Sequence, residues 1–407
     1  MNSKTVLPSF SNIPKKRKII WISPLIIDSS LHAHAQIEIL EHLAKRGNGV
    51  CLFALRSNKK FHLTNSNVKS ILIPMIYLPI ITSILFAVIL SFFLPFYVAI
   101  KKPNVIVTGL GPSIFAFMWK PILFPYNHIK IVLDIRSTVV EVNNFRKHLD
   151  ALFFNISVKI AKRIFDGITI ITSQMKRELC VKFHINPKFI GVWTSGVSLR
   201  LFKPERYNGL EVKKALGLTN KFVILYHGNF SNKRGIIETV KSIEKVGNEC
   251  HNVVLFLLGD GPALPFLEEL IDKKALHNNL IIHHTVDYIE VPKYIAMCDI
   301  GIVPLPNLPD WRHQCPLKLL EYLAMRKVVI VTDILANREV VGNSKCGIYV
   351  SSSTPNEIAK AIVYAYNNQA MLKEWGSYGR AIISEKYSWE RVAEDLHNYL
   401  FRTMGKR

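Results

Sequence analysis

The sequence predicts an α/β protein with two doubly wound parallel sheets in tandem, and three observations support this fold class. Short apolar runs alternate with helical patterns along most of the chain, an arrangement typical of parallel sheets covered by helices on both faces. The series of runs stops at a loop over residues 194–204 and then starts again. The 407 residues, 49% of them apolar, suffice to bury two cores.

The first series is predicted to form a Rossmann-like N-terminal domain over residues 18–200, preceded by a basic arm over residues 1–17. Its predicted strands are KIIWIS, VCLFAL, NVIVTG, IKIVLDI, GITIITS and KFIGVW. Its predicted helices span 31–46, 113–120, 141–164 and 173–183.

The second series is predicted to form a Rossmann-like domain over residues 201–380, followed by a terminal helical segment over 381–407. Its predicted strands are KFVILYHG, NVVLFLL, NLIIHH, DIGIVPL and KVVIVTD, and its first helices span 235–246, 263–274 and 289–297. Open sheets of this kind bind ligands beyond the carboxyl ends of their strands. Two such sheets facing across a cleft are therefore expected to bind a ligand in that cleft.

The six cysteines are scattered singly, without a CxxC pair or zinc spacing. This pattern predicts neither disulfides nor a metal site and is typical of a reducing compartment. The net charge of +22 is uneven, because residues 1–200 contain 26 Lys and Arg against 8 Asp and Glu. A charge asymmetry of this size indicates an anionic partner for the first half.

The uncharged stretch from Ser70 to Ile100 identifies that partner as a membrane surface. Pro74, Pro79 and Pro95 are expected to cut the stretch, leaving roughly 15 uninterrupted residues, which is short for a span. Residues 71–102, with lysines on both flanks, are therefore predicted to lie in the headgroup plane of an anionic membrane. A true span and a buried core helix are the alternatives. Nucleic-acid binding is excluded, since no basic patch is interleaved with stacking aromatics.

The segment CPLKLLEYLAMRKVVIVTD, which starts at Cys315, indicates an anion site. Pro316 suits the first turn of a helix, and the free N–H groups of that turn favour a phosphate. Lys318 stands in the first turn, where the helix dipole disfavours a cation, and a bound anion would offset this unfavourable interaction. Glu321 lies one turn further and is suited to hold a sugar hydroxyl. The alternative is an amphipathic helix with a chance lysine.

The segment HGNFSNKRG, residues 227–235, follows a predicted strand and precedes a helix. Gly228 and Gly235 permit a tight backbone, while Lys233 and Arg234 bring positive charge that could grip a diphosphate. A solvated basic turn is the alternative. The turn GDGP at 259–262 is interpreted as structural.

Polar residues also follow two strands of the first series. Asp134 and Arg136 end IKIVLDI, and the exit of the first strand is surrounded by Ser23, Asp28, His32 and His34. The two histidines are spaced by two, which sends them to different faces of a helix, so no metal pair is expected.

Taken together, several motifs in register over residues 170–405 resemble glycosyltransferase family 4, whose members are retaining enzymes of the GT-B fold. These motifs are SGV at 195–197, HGNFSNKRG, LLGDGP, CDIGIVPL, CPLKLLEYLAMRKVVIVTD, REVV and SWERVAEDLHNYL. The resemblance implies that the second domain binds a nucleoside-diphosphate sugar without a metal or other cofactor. It also implies that the first domain meets the acceptor, and that the final helix packs back toward that domain.

The resemblance also assigns donor-binding residues. Glu321 matches the second carboxylate of the family's Glu-x7-Glu motif, which holds the donor ribose, whereas His313 stands where the first carboxylate is expected. Arg234 matches the residue that binds the diphosphate. Asn229 stands where a second arginine is usual, and Lys318 could supply the positive charge that is missing there. The remaining donor-binding residues are Pro316 and Leu317 at the helix start and Gly196 in the SGV loop.

The function predicted from the sequence is a metal-independent, retaining hexosyltransferase at the cytoplasmic face of the cell membrane, held there peripherally or as a monotopic protein. It would move a sugar from a nucleoside-diphosphate sugar to a lipid-linked or other glycan acceptor. The leaving diphosphate would help to deprotonate the acceptor, with Asp134 as a candidate catalytic base. The alternatives are a nucleotide-sugar epimerase and a catalytically inactive relative that binds a membrane or a partner.

Overall fold

The computed structural model contains two all-parallel sheets, with helices between most of the successive strands. It describes residues 17–27, 31–56, 67–74, 81–115, 119, 128–136, 144–246, 250–274, 276–309 and 311–403. Residues 1–16 of the predicted basic arm and Asp28 lie outside the described residues. By contact density the chain divides into two units, one comprising Met1–Asp134 with Ile156–Gly167 and the other Ile135–Asn155 with Ile168–Arg407.

The first sheet has seven strands in the order β3-β2-β1-β4-β5-β6-β7. These strands are β1 (Lys18–Ile27), β2 (Gly49–Arg56), β3 (Val68–Ile73), β4 (Val105–Thr108), β5 (Lys130–Ile135), β6 (Gly167–Ile170) and β7 (Ile190–Val192). The helices between them are α1 (Leu31–Lys45), α2 (Ile81–Lys101), α3 (Leu110–Ser113), α4 (Asn144–Ile164) and α5 (Ser173–Phe183). Every residue of β4 and β6 is buried, as expected for strands covered on both faces.

The second sheet has six strands in the order β10-β9-β8-β11-β12-β13. They are β8 (Phe222–His227), β9 (Val253–Leu258), β10 (Leu280–His283), β11 (Ile300–Val303), β12 (Val328–Thr332) and β13 (Gly347–Val350). Neighbouring strands are parallel throughout. The chain order changes direction between β8 and β11, so the carboxyl ends of these two strands flank the position where such sheets bind ligands.

The helices of the second sheet follow the predicted order. They are α6 (Gly209–Ala215), α7 (Ile236–Val246), α8 (Leu264–Lys273), α9 (Val291–Met297), α10 (Leu317–Ala324), α11 (Leu335–Val341), α12 (Pro355–Asn367), α13 (Gln369–Ile382) and α14 (Trp389–Asn398). Asp299, just before β11, joins the start of β8 to α6: its Oδ2 accepts hydrogen bonds from the backbone of Val223 at 2.7 Å and from Lys213 Nζ at 2.6 Å.

The helix predicted over 113–120 is interrupted near its start: Ser113 and Trp119 are helical, whereas Ile114 and Phe115 are not. The observed helix α3 ends at Ser113, and Ile114 and Phe115 form a turn. The amides of these two residues bond to the carbonyls of Gly111 and Pro112, three residues back, which closes the helix. Residues 116–118 and 120 lie outside the described residues.

The uncharged stretch also differs from the prediction. Its first residues extend strand β3 to Ile73, and α2 then runs for 21 residues straight through Pro95. A proline inside a helix removes one backbone hydrogen bond, but α2 is held by a buried stripe at every fourth position, formed by Phe86, Leu90, Leu94 and Val98. Packing of this stripe outweighs the missing bond, so the expected break at Pro95 does not occur.

Candidate functional site

Lys318 lies over the carboxyl end of β8. Its Nζ is 3.8 Å from the centre of the Tyr226 ring, and a Cβ atom built on Gly228 would lie 3.4 Å from the same nitrogen. Gly228 has a φ of +108°, which a residue with a side chain rarely adopts. The structure therefore brings the first turn of α10 together with the first residues of the 227–235 segment.

The start of α10 has no side-chain cap, which an anion site at this position requires. Pro316 has a φ of −66° and a ψ of 115° and lies just before the first helical residue, Leu317. The helix therefore begins one residue later than the sequence predicted, since Pro316 was expected in its first turn. No side chain caps this end. The first amides of a helix have no partner within the helix, and this end therefore has the polarity that an anion requires.

Glu321 is buried on the face of α10 that meets β8. Its Oε1 accepts a hydrogen bond from the Tyr288 hydroxyl at 2.8 Å, and its Oε2 lies 3.3 Å from Nε2 of His227. Burial raises the pKa of Glu321 to about 7, against the Tyr288 hydrogen bond and the charge of Lys318, which lower it. Burial and, to a smaller degree, Lys318 hold the pKa of His227 well below its usual value.

These pKa directions bear on how the contact between His227 and Glu321 is understood. Although the two side chains are at ion-pair distance, Nε2 of His227 makes no hydrogen bond to a described residue. Since burial favours the uncharged form of both groups, we regard the imidazole as neutral and the carboxyl group as close to its titration point at neutral pH. A carboxyl group in this state can accept or donate a hydrogen bond to a hydroxyl group.

The basic end of the 227–235 segment is clamped by Trp311. The guanidinium of Arg234 lies 4.9 Å from the centre of the Trp311 ring, and the indole N–H of Trp311 donates to the Lys233 carbonyl at 3.0 Å. A Cβ atom on Gly235 would fall 2.0 Å from the Pro304 carbonyl oxygen, so only glycine fits there. The segment after β11, which leads to α10, thus holds the basic loop in place.

Asn229 is exposed at the other end of this loop. Its carbonyl accepts a hydrogen bond from the Tyr226 hydroxyl at 3.0 Å, and a Cβ atom on Gly261 would fall 2.5 Å from its Oδ1. Gly259 would likewise meet the Gly228 carbonyl at 2.0 Å. The GDGP turn therefore packs closely against residues 228–230, which agrees with its structural interpretation.

His313 contacts helix α5 at two points. Its Nε2 is 3.1 Å from Oε2 of Glu178, and its carbonyl accepts from the Thr172 hydroxyl at 3.4 Å. Nδ1 of His313 is buried and has no hydrogen-bond partner among the described residues. Glu178 was not singled out from the sequence, because nothing in its local pattern connects it with a residue so far along the chain.

Gly196 is buried under the Trp389 ring, where a Cβ atom would approach a ring carbon to 2.6 Å. The neighbouring Cys315 thiol is also buried, and burial raises its pKa to about 12, with hydrogen bonds from Ser195 acting in the opposite direction. A thiol with this pKa stays protonated at neutral pH and is no nucleophile. The donor contact predicted for Gly196 stays a prediction, and its packing against Trp389 is what the structure describes.

Asp134 is buried near the carboxyl end of β5, with 6% of its surface exposed. Arg136 follows β5, and its guanidinium stacks 3.4 Å from the centre of the Trp193 ring. One of its Nη1 protons is donated to the Trp193 carbonyl at 2.6 Å. Arg136 is therefore held rigidly beside the loop that begins at residue 194.

Near the exit of β1, Ser23 is buried and Asp28 lies outside the described residues. His32 is described only as part of helix α1. Nε2 of His34 is 3.6 Å from Glu38 Oε1, and burial lowers the pKa of the imidazole. In the part of the chain that the structure describes, no three His, Cys, Asp or Glu side chains are grouped to hold a metal ion.

Residues 210–382 match the family model for glycosyl transferases group 1. Among characterised proteins, the chain is 23% identical over 198 residues to the alpha-D-kanosaminyltransferase of Streptomyces kanamyceticus, covering 48% of this chain and 49% of that protein. It is 25% identical over 182 residues to the alpha-monoglucosyldiacylglycerol synthase of Acholeplasma laidlawii, covering 44% of each chain. The matched region thus spans about half the length of these two relatives.

The fold extends the likeness over nearly the whole chain. The Anabaena protein HepE, in complex with UDP and glucose, superposes with a TM-score of 0.73 at 14% identity, covering 95% of this chain and all of that one. HepE and other structural neighbours are GT-B glycosyltransferases. The predicted α/β fold class is therefore confirmed, and so is the predicted resemblance to glycosyltransferases, with residues 210–382 as the matching region.

Proposed function

We propose that this chain, whose residues 210–382 match group 1 glycosyl transferases, transfers a sugar from a nucleoside-diphosphate sugar to a glycan or lipid-linked acceptor. One observation supports the proposal above all others: Lys318, the uncapped start of α10 and the exit of β8 lie together. Positive charge and a helix start without a side-chain cap, at one point of a doubly wound sheet, are suited to bind a diphosphate.

The donor would bind with its diphosphate at the start of α10, near Pro316, Leu317 and Lys318, and with Arg234 as the second cation. Both cations are held in place, Lys318 over Tyr226 and Arg234 over Trp311. Glu321 would bind the ribose hydroxyls. The complex of HepE with UDP makes a uridine nucleotide the first ligand to test.

The chemistry would depend on stabilising the leaving nucleoside diphosphate. Negative charge builds on the diphosphate as the bond to the sugar breaks, and cations fixed before the reaction stabilise that charge without reorganising. A departing phosphate oxygen that takes the acceptor proton on the same face of the sugar would give retention of configuration. Asp134 is the candidate protein base, and Asn229 and Gly196 are candidate donor contacts.

The acceptor side would lie at an anionic membrane surface on the cytoplasmic side, bound through residues 71–102. Helix α2 supports this placement, because its outward face is apolar and largely exposed at Phe92, Phe93, Phe96 and Ile100. Lys101 and Lys102 are exposed next to it. Such a face beside lysines suits the headgroup region of an anionic bilayer.

The choice between lying in the membrane and crossing it depends on the opposite face of α2. Residues Ile84–Lys101 are long and apolar enough to span a bilayer, and 33% of that window is buried in the protein. Because the stripe from Phe86 to Val98 packs inside the first unit, we propose monotopic association rather than a span. The name of the Acholeplasma relative, an alpha-monoglucosyldiacylglycerol synthase, is compatible with a lipid acceptor.

The proposed activity is tested by donor consumption. Arg234→Ala and Glu321→Ala are expected to abolish release of UDP from the nucleotide sugar that the wild-type chain consumes, while thermal unfolding stays cooperative. Lys241→Ala, which removes an exposed charge from α7, is the control and should leave turnover unchanged. Full turnover in both site variants would refute the proposal. The epimerase and inactive-relative alternatives are not favoured by the comparisons, and product analysis without acceptor separates them from a transferase.

A further inference from the structure

We infer that Tyr288 is a positioning residue of the donor site: its hydroxyl group keeps the carboxylate of Glu321 ionised and oriented, so that Oε2 of Glu321 can accept from a ribose hydroxyl. This inference rests on the proposed function, and it adds a residue that acts through Glu321 rather than on the nucleotide. Three features support it: the hydrogen bond between the two side chains, the contacts that fix the Tyr288 ring, and the character of the other groups around the carboxylate.

The hydrogen bond joins the Tyr288 hydroxyl to Oε1 of Glu321 at 2.8 Å. Glu321 is 2% exposed, so water cannot easily replace this donor. A bond to one carboxylate oxygen fixes the orientation of the group and leaves the lone pairs of the other oxygen for a second donor. An ionised carboxylate accepts from a hydroxyl more strongly than a neutral carboxyl group does. The ribose contact therefore depends on what keeps Glu321 ionised.

The ring of Tyr288 is fixed by buried contacts. Tyr288 begins a short 3₁₀ helix just before α9, and its ring centre lies 5.7 Å from that of Phe202. Phe202 is fully buried, and its carbonyl accepts from Nη1 of Arg380 at 2.6 Å. The same nitrogen donates to the carbonyl of Ala324, the last residue of α10, at 2.6 Å. One guanidinium thus links the residue that supports Tyr288 to the helix that carries Glu321.

The other titratable and charged groups that face Glu321 do not replace this hydrogen bond. Nε2 of His227, at the end of β8, is 3.3 Å from Oε2 but makes no hydrogen bond to a described residue, and burial favours the neutral form of its ring. The Tyr322 hydroxyl donates to a backbone carbonyl of β8 instead. Lys318, on α10 itself, acts through its charge.

The pKa of Glu321 reflects this balance. Burial raises the pKa to about 7, while the hydrogen bond from Tyr288 and, to a smaller degree, the charge of Lys318 lower it. Loss of the Tyr288 hydroxyl would remove the larger of the two opposing effects, so the pKa would rise further. The carboxyl group would then be mostly neutral at pH 7, and the ribose would lose its strong acceptor.

Two substitutions of Tyr288 separate positioning from packing. Tyr288→Phe keeps a ring against Phe202 and removes only the hydroxyl, whereas Tyr288→Leu removes both. Tyr378→Phe is the matched control, because the Tyr378 hydroxyl also donates to a carboxylate, that of Glu374, but both residues are exposed on α13. If Tyr288 served packing alone, Tyr288→Phe would behave like the wild-type chain and Tyr288→Leu would not.

The experiment measures the dissociation constants of UDP and its 2′,3′-dideoxy analogue by calorimetry between about pH 6 and about pH 9, with GDP and its dideoxy analogue as a second pair. The ratio within a pair isolates the ribose hydroxyls, because both ligands carry the same diphosphate and its titration cancels. In the wild-type chain the preference for the ribose should decline as the pH falls through about 7, the pKa of Glu321. Tyr378→Phe should follow the wild-type chain at every pH.

In Tyr288→Phe the same decline should occur about one pH unit higher, the effect of one hydrogen bond to a charged group. At pH 7 the preference for the ribose should then be about fivefold smaller than in the wild-type chain, and it should recover toward about pH 9. Tyr288→Leu should show a shift at least as large. Recovery at high pH distinguishes a change in the ionisation of Glu321 from general damage to the site.

Two results would overturn the inference and leave the proposed transferase intact. A profile of Tyr288→Phe identical to that of the wild-type chain would make Tyr288 a packing residue, and tighter binding of UDP by this variant at every pH would mean that its hydroxyl competes with the ribose. If the wild-type chain binds both nucleotides but prefers neither over its dideoxy analogue, Glu321 does not bind the ribose and the inference fails with that contact. If it binds neither nucleotide, the proposed function itself is contradicted.

Discussion

Replacement of Glu321 by glutamine should change how the stability of the second unit depends on pH. Glu321 is buried, and burial raises its pKa to about 7 from an ordinary value of 4.5. Between these two pH values the folded chain keeps a proton that the unfolded chain releases. The free energy of unfolding contributed by this group therefore falls as the pH rises from about 4.5 to about 7, and it is constant above that range.

The size of the effect follows from the two pKa values. Each pH unit between them contributes about 1.4 kcal/mol, which gives about 3 kcal/mol over the whole interval. Glutamine has the same shape and cannot ionise, and its side-chain oxygen can still accept from the Tyr288 hydroxyl. The difference in unfolding free energy between Glu321→Gln and the wild-type chain is therefore expected to shift in favour of the variant by about 3 kcal/mol between pH 4.5 and pH 7.5. His227 remains in both proteins, so its own titration largely cancels in the difference.

The assay is urea denaturation at several pH values, with unfolding monitored by tryptophan fluorescence. The transition to analyse is the one that bound nucleotide shifts to higher urea concentrations. Glu269→Gln, which neutralises a carboxylate with 61% of its side chain exposed, is the matched control and should track the wild-type chain at every pH. A constant difference in unfolding free energy between Glu321→Gln and the wild-type chain across this pH range would refute the reasoning about burial.

Three further predictions follow from the same geometry. UDP should bind more weakly as the pH falls through about 7, because the neutral carboxyl group of Glu321 is a weaker acceptor for a ribose hydroxyl than the carboxylate is. Calorimetry should find this dependence missing in Glu321→Gln. Trp311→Leu should weaken the binding of UDP about tenfold by releasing the basic loop, and Trp311→Phe should have an intermediate affinity because it keeps a ring. Equal affinity for UDP in the wild-type chain and both variants would contradict the role of Trp311 in holding the loop. In flotation with phosphatidylglycerol vesicles, the membrane-bound fraction of the double variant Phe92→Ser with Phe96→Ser should fall by at least about tenfold. Phe266→Ser, which changes a phenylalanine that is 44% exposed, should float like the wild-type chain. Flotation of the double variant at the wild-type level would argue against docking through α2.

The order of strands and helices could be predicted because it depends on local periodicity. Helix α5 was predicted with its observed bounds, Ser173–Phe183, and its start is marked by Thr172, whose hydroxyl caps the first turn. Lys318 and Glu321 are three residues apart, a spacing that places them on neighbouring positions of one helical face. The sequence thus predicted that both would belong to one site.

The partners of these residues could not be predicted, because they come from remote parts of the chain. Tyr288 reaches Glu321 from a short 3₁₀ helix 33 residues earlier, and no pattern around Tyr288 marks it as a functional residue. Glu178 reaches His313 from a helix of the first series. The helical path through Pro95 was mispredicted for a related reason: the local rule for proline is correct, but the packing of the stripe from Phe86 to Val98 outweighs it.

The most direct test of the account is a crystal structure of the chain with UDP. We expect an oxygen of the diphosphate within hydrogen-bond distance, about 3 Å, of the backbone amides that open helix α10. Arg234 should lie beside the diphosphate, and a carboxylate oxygen of Glu321 should contact the ribose. A nucleotide bound elsewhere, with the start of α10 in contact with solvent alone, would contradict the account.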